Sequence, residues 1–522
     1  MAEQRDKWAS KIGLILAMAG NAIGLGNFWR FPYQAAKNGG GAFMIPYFVA
    51  LFLLGIPIMW VEWVEGRYGG KYGHGTLGPT FYLMSRESLK PRTALIFGII
   101  GGMLAFSVTT LLNSYYLHII GWSAAYTYFS ATGAYFGKDS VQFLINYLGN
   151  TGQVLLFWGI SVALLGVAVG QGVSKGIERW VKVMMPLLYV AAILLVIRSL
   201  TLGSPVKPEW SSMKGFEFLW EPRLSEVTWQ SALAAAGQIF FTLSLGMGII
   251  QNYASYLGPE DDVALSGLAT VSLNEFAEVI LGGSIAIPIA FAYLGEKGIS
   301  AGVGLAYIAL PNVFMNMPAG QFFGAVWFLL LWFAGFTSAI AMYNYLTALL
   351  EEDLKISRKT GAIFVFILYL ILGLPVALDP TKATLDLYYL TELDSWVGSY
   401  LLVVLGLFDI IVAVWLFKPE NFWEELHKGA YIKVPGWIKP LITYVAPIYT
   451  LILLIFTTKD YITGGYFKAV PSYVAKPEYA SWVWLARGMM FLILIIGAIE
   501  AYIAIKKKYG EELEKNEVII KM

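Results

Sequence analysis

The chain has no cysteine, which excludes disulfides, thiolate metal sites and cysteine nucleophiles. Its three histidines, His74, His118 and His427, lie far apart along the chain, so a histidine metal cluster is not expected. Charge is scarce: Asp, Glu, Lys and Arg make up 14% of 522 residues, against about 25% in soluble domains. The net charge of +1 offers no field for nucleic acid or an acidic partner. No G-x-x-x-x-G-K-[ST] phosphate loop and no N-x-[ST] acceptor occurs, which argues against a built-in ATPase. No nucleophile–base pair or metal cluster stands out, so no enzyme is expected. The lack of cysteine and scarcity of histidine are compatible with a thermophilic, prokaryotic source. A linker rich in Pro, Gly or Ser is also missing, and residues 1–522 read as one domain. The charged start (Glu3, Arg5, Asp6, Lys7, Lys11) runs into an apolar stretch with no small-residue cleavage site, so it does not read as a secretory signal.

What is present is apolar. Hydrophobic residues make up 57% of the chain and the mean hydropathy is +0.63. A water-soluble fold of this size would have to hide more apolar surface than its shape allows. Lipid is the simpler solvent. A bilayer core of roughly 30 Å needs about 20 apolar residues per helix. Candidate spans lie near 12–36, 41–68, 94–128, 153–170, 176–200, 229–256, 263–295, 321–350, 361–378, 386–417, 438–457 and 480–505. The fold class is therefore all-α, an integral membrane protein of about twelve helices. Residues 301–318, with Pro311 and Pro318, read as an external re-entrant hairpin. Lysine and arginine crowd the loops that would be cytoplasmic with both termini inside. Examples are Arg67, Lys71, Arg86, Lys90 and Arg92, then Lys355, Arg358 and Lys359, then Lys506, Lys507 and Lys508. Glu260, Asp261 and Asp262 dissent in one inner loop, but acids weigh little in that rule. A multi-pass protein of the cell membrane is expected.

Two spans are interrupted alike. The first holds Gly20-Asn21-Ala22-Ile23-Gly24-Leu25-Gly26-Asn27 and the sixth, five spans later, holds Thr242-Leu243-Ser244-Leu245-Gly246-Met247-Gly248. Glycine alone would read as close helix packing. Matched interruptions flanked by Asn21, Asn27, Thr242 and Ser244 read better as a ligand site, because a helix broken in hydrocarbon must give its freed amides and carbonyls to something. Amides at a half-helix N-terminus suit a carboxylate, and freed carbonyls suit cations. Five spans per unit invert the second unit relative to the first. Units 11–200 and 229–417 fit a 5+5 inverted repeat, followed by two more helices at 433–508. Paired interruptions are the sequence pointer to a transporter's central site.

Several stretches carry a specific resemblance: Gly20 to Pro32, Asn38 to Pro46, Gly176 to Pro186, Gly237 to Gly248, Asn274 to Ser284 and Ala334 to Ser338. Across about residues 5–430 the chain resembles the neurotransmitter:sodium symporter family, bacterial leucine-transporter type. That resemblance implies sodium-coupled import of an amino acid by alternating access. It implies one sodium held by Asn27, Asn274, Thr242 and the carbonyl of Ala22. A second would be held by Thr337, Ser338 and the carbonyls of Gly20, Ile23 and Ala334. All are oxygen ligands, as a hard cation prefers. Relatives that carry biogenic amines place an aspartate where this chain has Gly24. With no acid there, the substrate must bring its own carboxylate, which implies an α-amino acid. Its carboxylate would meet the amides of Leu25 and Gly26 and the hydroxyl of Tyr116. Its ammonium would meet the carbonyls of Ala22, Phe241 and Thr242, and Ser244, with Asn21 beside the break. The side-chain pocket would be Leu25, Leu112, Phe241, Met247, Ser338 and Met342. Apolar walls reject charged side chains, and two flexible methionines imply tolerance of aromatic as well as aliphatic substrates.

Glu278 lies four residues after Asn274 on one helical face. The resemblance makes it a fixed carboxylate standing in for chloride, so no chloride requirement is expected. It is also a candidate to carry a proton on the empty return. Glu62 and Glu65 have no role assigned by the pattern. Arg30 and Asp394 resemble an outer gate pair over Tyr116 and Phe241. Arg5 resembles an inner gating arginine, with Trp8 beside it and Glu352 at the partner position, next to Asp353. The runner-up reading is an amino-acid sensor that binds without cycling, and a third is a passive channel. The expected partners are a small apolar amino acid and the bilayer, and the resemblance leaves room for a homodimer.

Overall fold

With no water to satisfy backbone groups in hydrocarbon, a chain this apolar resolves into helices. A computed structural model describes residues 7–295 and 304–519, and no β-strand occurs among the described residues. Ten helices are long and apolar enough to cross a membrane. They are α2 (Gly41–Lys71), α3 (Pro91–Thr132), α4 (Thr151–Gly170), α5 (Val173–Leu200), α7 (Val263–Leu294), α8 (Gly320–Glu352), α9 (Arg358–Leu378), α10 (Tyr388–Leu416), α11 (Ile438–Thr463) and α12 (Pro477–Lys515). Two more spans are broken. In α1, Lys11–Ala22 and Gly26–Lys37 meet at a bend of 46°. In α6, Trp229–Thr242 and Ile249–Ala254 flank a non-helical stretch. Among the described residues ten helices, or eleven with the bent pair of α1, are long and apolar enough to span, and the two shorter halves of α6 must be taken together to reach the twelve expected.

Three boundaries differ from expectation. α3 starts at Pro91 and runs to Thr132, where Gly133 in the left-handed region ends it. α12 continues beyond its apolar run to Lys515 through a kink at Tyr509 (φ −119°, ψ 19°), because its charged end packs back on the protein. Residues 305–316 form a short helix within the stretch expected as a hairpin, whose residues 301–303 lie outside the described residues. That helix ends at Met317, just before Pro318, which cannot continue it.

Burial separates two kinds of helix. α3 and α8 lie inside, where Leu111, Leu117 and Ile120 face Leu331, Phe336 and Ile340 in one continuous core. α5, α9 and α12 present apolar stripes outward instead. Val183, Leu187 and Val190, then Ile363, Ile367 and Ile371, then Phe491, Ile495 and Ile499 are all exposed. Spacing of three to four residues puts each set on one helical face, the face that meets lipid.

Buried ion pairs tie the ends of the bundle. Arg67 on α2 holds Glu425 at 2.9 Å, with Lys71 on the same carboxylate. Arg487 on α12 holds Glu392 on α10 at 2.6 Å. Arg86 holds Glu512 of α12 at 2.8 Å. Such pairs add little net stability but punish loss of one partner, which leaves a buried charge alone.

Candidate functional site

The break in α1 is made by backbone that leaves the helical ladder. Ile23 is extended (φ −76°, ψ 95°), and its N–H still reaches Ala19 O. Gly24 N–H then bonds Asn27 Oδ1 at 2.8 Å, and Leu25 N–H bonds the Tyr116 hydroxyl at 3.0 Å. The last carbonyls of the first half, residues 20–22, therefore lack helical partners. Ser338 on α8 donates to two of them, Asn21 O at 2.9 Å and Gly20 O at 3.3 Å.

The break in α6 uses positive φ: Ser244 at 57°, Gly246 at 69° and Gly248 at 80°. Gly246 is needed twice over, since a Cβ there would lie 2.1 Å from Leu402 O. Freed groups find partners: Gly246 N–H bonds Glu62 Oε1 at 2.7 Å, and Met247 O takes the Thr109 hydroxyl at 2.6 Å. Ser244 Oγ donates to Asn21 O at 3.0 Å, so the two breaks meet.

Between them is a narrow cavity. Ala22, Gly24, Gly26, Leu112, Tyr116, Phe241, Ser244, Met247, Ser338 and Met342 line it, and Ile249 joins them. Asn21, Leu25 and Thr242 are not in its wall. Asn21 has a fully buried side-chain amide without a partner. No acid lines the cavity.

Oxygen donors gather on two sides. On one, Asn27 Nδ2 bonds Asn274 Oδ1 at 2.8 Å, and Asn274 Nδ2 lies 3.3 Å from Thr242 Oγ1. Thr242 in turn donates to Glu278, which also takes Tyr47 at 2.9 Å and Gln238 at 3.0 Å. Glu275, which sequence reasoning missed, accepts from Tyr47 at 2.9 Å and from Asn274 at 3.2 Å. On the other side, Thr337 Oγ1 donates to Ala334 O at 3.1 Å, and its Cβ lies 3.2 Å from an ideal Cβ on Gly20. Ser338 and the freed carbonyls of α1 complete this second group, with Ile23 at the end of the helix.

Gate candidates fall at opposite ends. The Arg30 guanidinium stacks over Phe241 at 4.5 Å and donates to Gly237 O and Gln238 Oε1, each at 3.3 Å. Asp394 takes the hydroxyl of Tyr115 at 2.8 Å rather than a hydrogen bond from Arg30. Tyr115, the neighbour of Tyr116, gave no signal beyond that adjacency. At the other end Trp8 donates to Tyr253 O at 3.1 Å and packs edge-on to Tyr253 and Tyr256. Glu352 accepts Gly75 N–H at 2.6 Å. Arg5 lies outside the described residues. A ladder nobody would read from sequence joins these groups: Asn344 donates to Asn252 at 2.6 Å, and Asn252 to Gly75 O at 2.8 Å.

Comparison with known proteins agrees with this geometry. The family described as Sodium:neurotransmitter symporter family matches residues 5–138 and 131–508. An uncharacterised sodium-dependent transporter of Methanocaldococcus jannaschii is 33% identical over 496 residues, covering 90% of this chain and 94% of that protein. Another from Bacillus subtilis is 34% identical, covering 73% and 80%. The crystal structure of MhsT in complex with L-phenylalanine superposes with a TM-score of 0.74 at 29% identity, covering 87% of this chain and all of MhsT. The chain belongs to the sodium:neurotransmitter symporter family and is a sodium-dependent membrane transporter, not an enzyme.

Proposed function

We propose that the chain imports apolar α-amino acids together with sodium, by alternating access about the cavity. One observation carries this reading: the cavity offers amides, carbonyls and hydroxyls but no charged side chain. A zwitterion fits such a site when a cation completes its carboxylate. Residues 11–200 and 229–417 would be the two repeats that rock about the site, with both termini cytoplasmic. MhsT holds phenylalanine, which supports an aromatic-tolerant pocket in this chain. The runner-up, a sensor, would bind without accumulation. Purified protein in proteoliposomes separates them: an inward sodium gradient should drive accumulation of labelled leucine or phenylalanine well above equilibrium. Binding with no accumulation would favour the sensor, and a sodium leak with no substrate would favour the channel.

Asn27, Asn274, Thr242 and the Ala22 carbonyl would hold one sodium. Thr337, Ser338 and the carbonyls of Gly20, Ile23 and Ala334 would hold the second. The ligands are neutral oxygens, and no group of three acidic or histidine side chains suited to a divalent metal occurs among the described residues. That chemistry favours a monovalent hard cation.

Glu278 lies at the first sodium group with its carboxylate bonded to Tyr47, Gln238 and Thr242. It supplies the negative charge an external anion would bring. Replacing chloride by gluconate should leave uptake unchanged within about twofold, well under the tenfold that a lost buried interaction of about 1.4 kcal/mol would give. A large loss would show that the carboxylate does not serve this purpose.

A further inference from the structure

Behind the α6 break, three carboxylates lie together away from water. Glu62 and Glu65 are on α2 and Asp409 is on α10, and each has 0% exposure. Gln251, on the second half of α6, sits beside them: its Nε2 donates to Glu65 Oε2 at 3.0 Å. Five buried acceptors here have no donor: Glu62 Oε2, Glu65 Oε1, both Asp409 oxygens and Gln251 Oε1. The amide oxygen among them is, like the carboxylate oxygens, an acceptor that an incoming hydrogen would satisfy.

The charged groups that act on Asp409 are Glu65 and Glu62. Gly246 N–H, Gln251 and one another are the partners of the two glutamates. Arg67, farther along α2, turns away to Glu425, Asp261 O and Lys428 O. Three like charges without a counter-ion are not stable in such surroundings, and a carboxylate placed this way neutralises by binding a proton. A bound proton also supplies the missing donor: a carboxyl hydrogen can be given to Gln251 Oε1 or to the facing carboxylate.

The same groups lead outward. Tyr345 on α8 lies in the field of Asp409 and, farther along, of Glu500 on α12 and Asp353 at the end of α8. Glu500 and Asp353 are neighbours, two carboxylates that can be joined only by a proton held between them. Asp353 takes the Thr76 hydroxyl at 3.0 Å, in the loop between α2 and α3. The neighbouring Gly75 N–H holds the gate residue Glu352. Oxygen groups therefore run from the α6 break to the gate end of the bundle.

We propose that Glu62, Glu65 and Asp409, with Gln251 beside them, form a proton-binding site separate from both sodium groups, loaded through Tyr345 and the Asp353–Glu500 pair. The site is placed to matter, since Glu62 holds the α6 break at Gly246 and Gln251 holds its second half. Proton binding changes the grip of α2 and α10 on the broken helix.

Infrared spectroscopy of the purified full chain tests this without any transport assay, so its outcome is independent of the substrate reading. In neutral buffer the wild type should show the carbonyl bands of protonated carboxyls. Asp409→Asn and Glu65→Gln should each lose a component of those bands. Gln251→Met, which keeps every carboxyl, should shift that component instead. Glu500→Gln should leave it in place but slow its exchange into heavy water several-fold. Sodium-dependent melting identifies variants that remain folded. Superimposable carboxyl bands in folded wild type, Glu65→Gln and Asp409→Asn would overturn the proposal. So would a component that responds to sodium and not to pH, which would make the site a metal-cation site.

Discussion

Asn27→Ala is expected to weaken sodium and amino-acid binding together, each by about 5- to 150-fold, as is Thr242→Ala. The number comes from the loss of one buried hydrogen-bonding group, about 1–3 kcal/mol, in a site where two ligands complete each other's shell. Asn27 bonds Gly24 N–H and Asn274 at 2.8 Å each, so its loss loosens the α1 break that the carboxylate meets. If the substrate carboxylate and the first sodium are in contact, their coupling is reciprocal: sodium raises amino-acid affinity by the same factor by which the amino acid raises sodium affinity. The measurement is equilibrium binding of labelled leucine at a series of sodium concentrations. Amino-acid affinity unchanged in both variants, with sodium dependence intact, would mean that the two ligands do not share the site. A nearby Thr337→Ala offers a contrast. The hydroxyl it removes lies on the side of the second group of oxygens, where it bonds Phe333 O at 3.0 Å and Ala334 O at 3.1 Å. The substitution should lower sodium affinity with a smaller direct effect on the amino acid.

Much of this site was legible because breaks in hydrocarbon are costly and therefore signalled. Glycine at positions 24, 26, 246 and 248 marks where the helix stops, and the structure places the bends there. The cavity wall includes expected residues of α3, α6 and α8 such as Leu112, Phe241 and Ser338, and leaves out Asn21, Leu25 and Thr242. Ile249 escaped notice because it looks like any other apolar residue beyond a break. The charged end of α12 was illegible for the opposite reason: hydropathy stops at the lipid boundary, while Arg86 and Arg92 hold the helix on to Lys515 through Glu512 and the carbonyls of Leu513 and Glu514. The outer gate was readable only in part. Which side chain meets Asp394 depends on how α3 and α10 pack, and the structure brings Tyr115 there. Likewise nothing in one dimension links Glu65, Gln251 and Asp409, which are far apart in the chain and adjacent only once α2, α6 and α10 close on one another.

Gly24→Asp is expected to abolish amino-acid uptake, and the loss should separate into two parts. The first is steric. A Cβ at Gly24 would lie 2.7 Å from Ser338 Oγ and 2.8 Å from the Tyr116 hydroxyl. Both hydroxyls are in use, on Asn21 O and Leu25 N–H, so even Gly24→Ala must displace groups that shape the break, at about tenfold for about 1.4 kcal/mol. The second part is charge. An uncompensated buried carboxylate costs about 3–5 kcal/mol, and here it would face the carboxylate of a zwitterion in a cavity with no cationic side chain. Uptake of leucine by Gly24→Asp should therefore fall at least about 100-fold below that of Gly24→Ala. The charge argument also predicts a change of sign: phenylethylamine, which has an ammonium and no carboxylate, should not bind the wild type but should compete for the Gly24→Asp site. Equal leucine uptake by the two variants would mean that the substrate carboxylate does not lie at this break. The pocket would then be reading its ligand by the side chain alone.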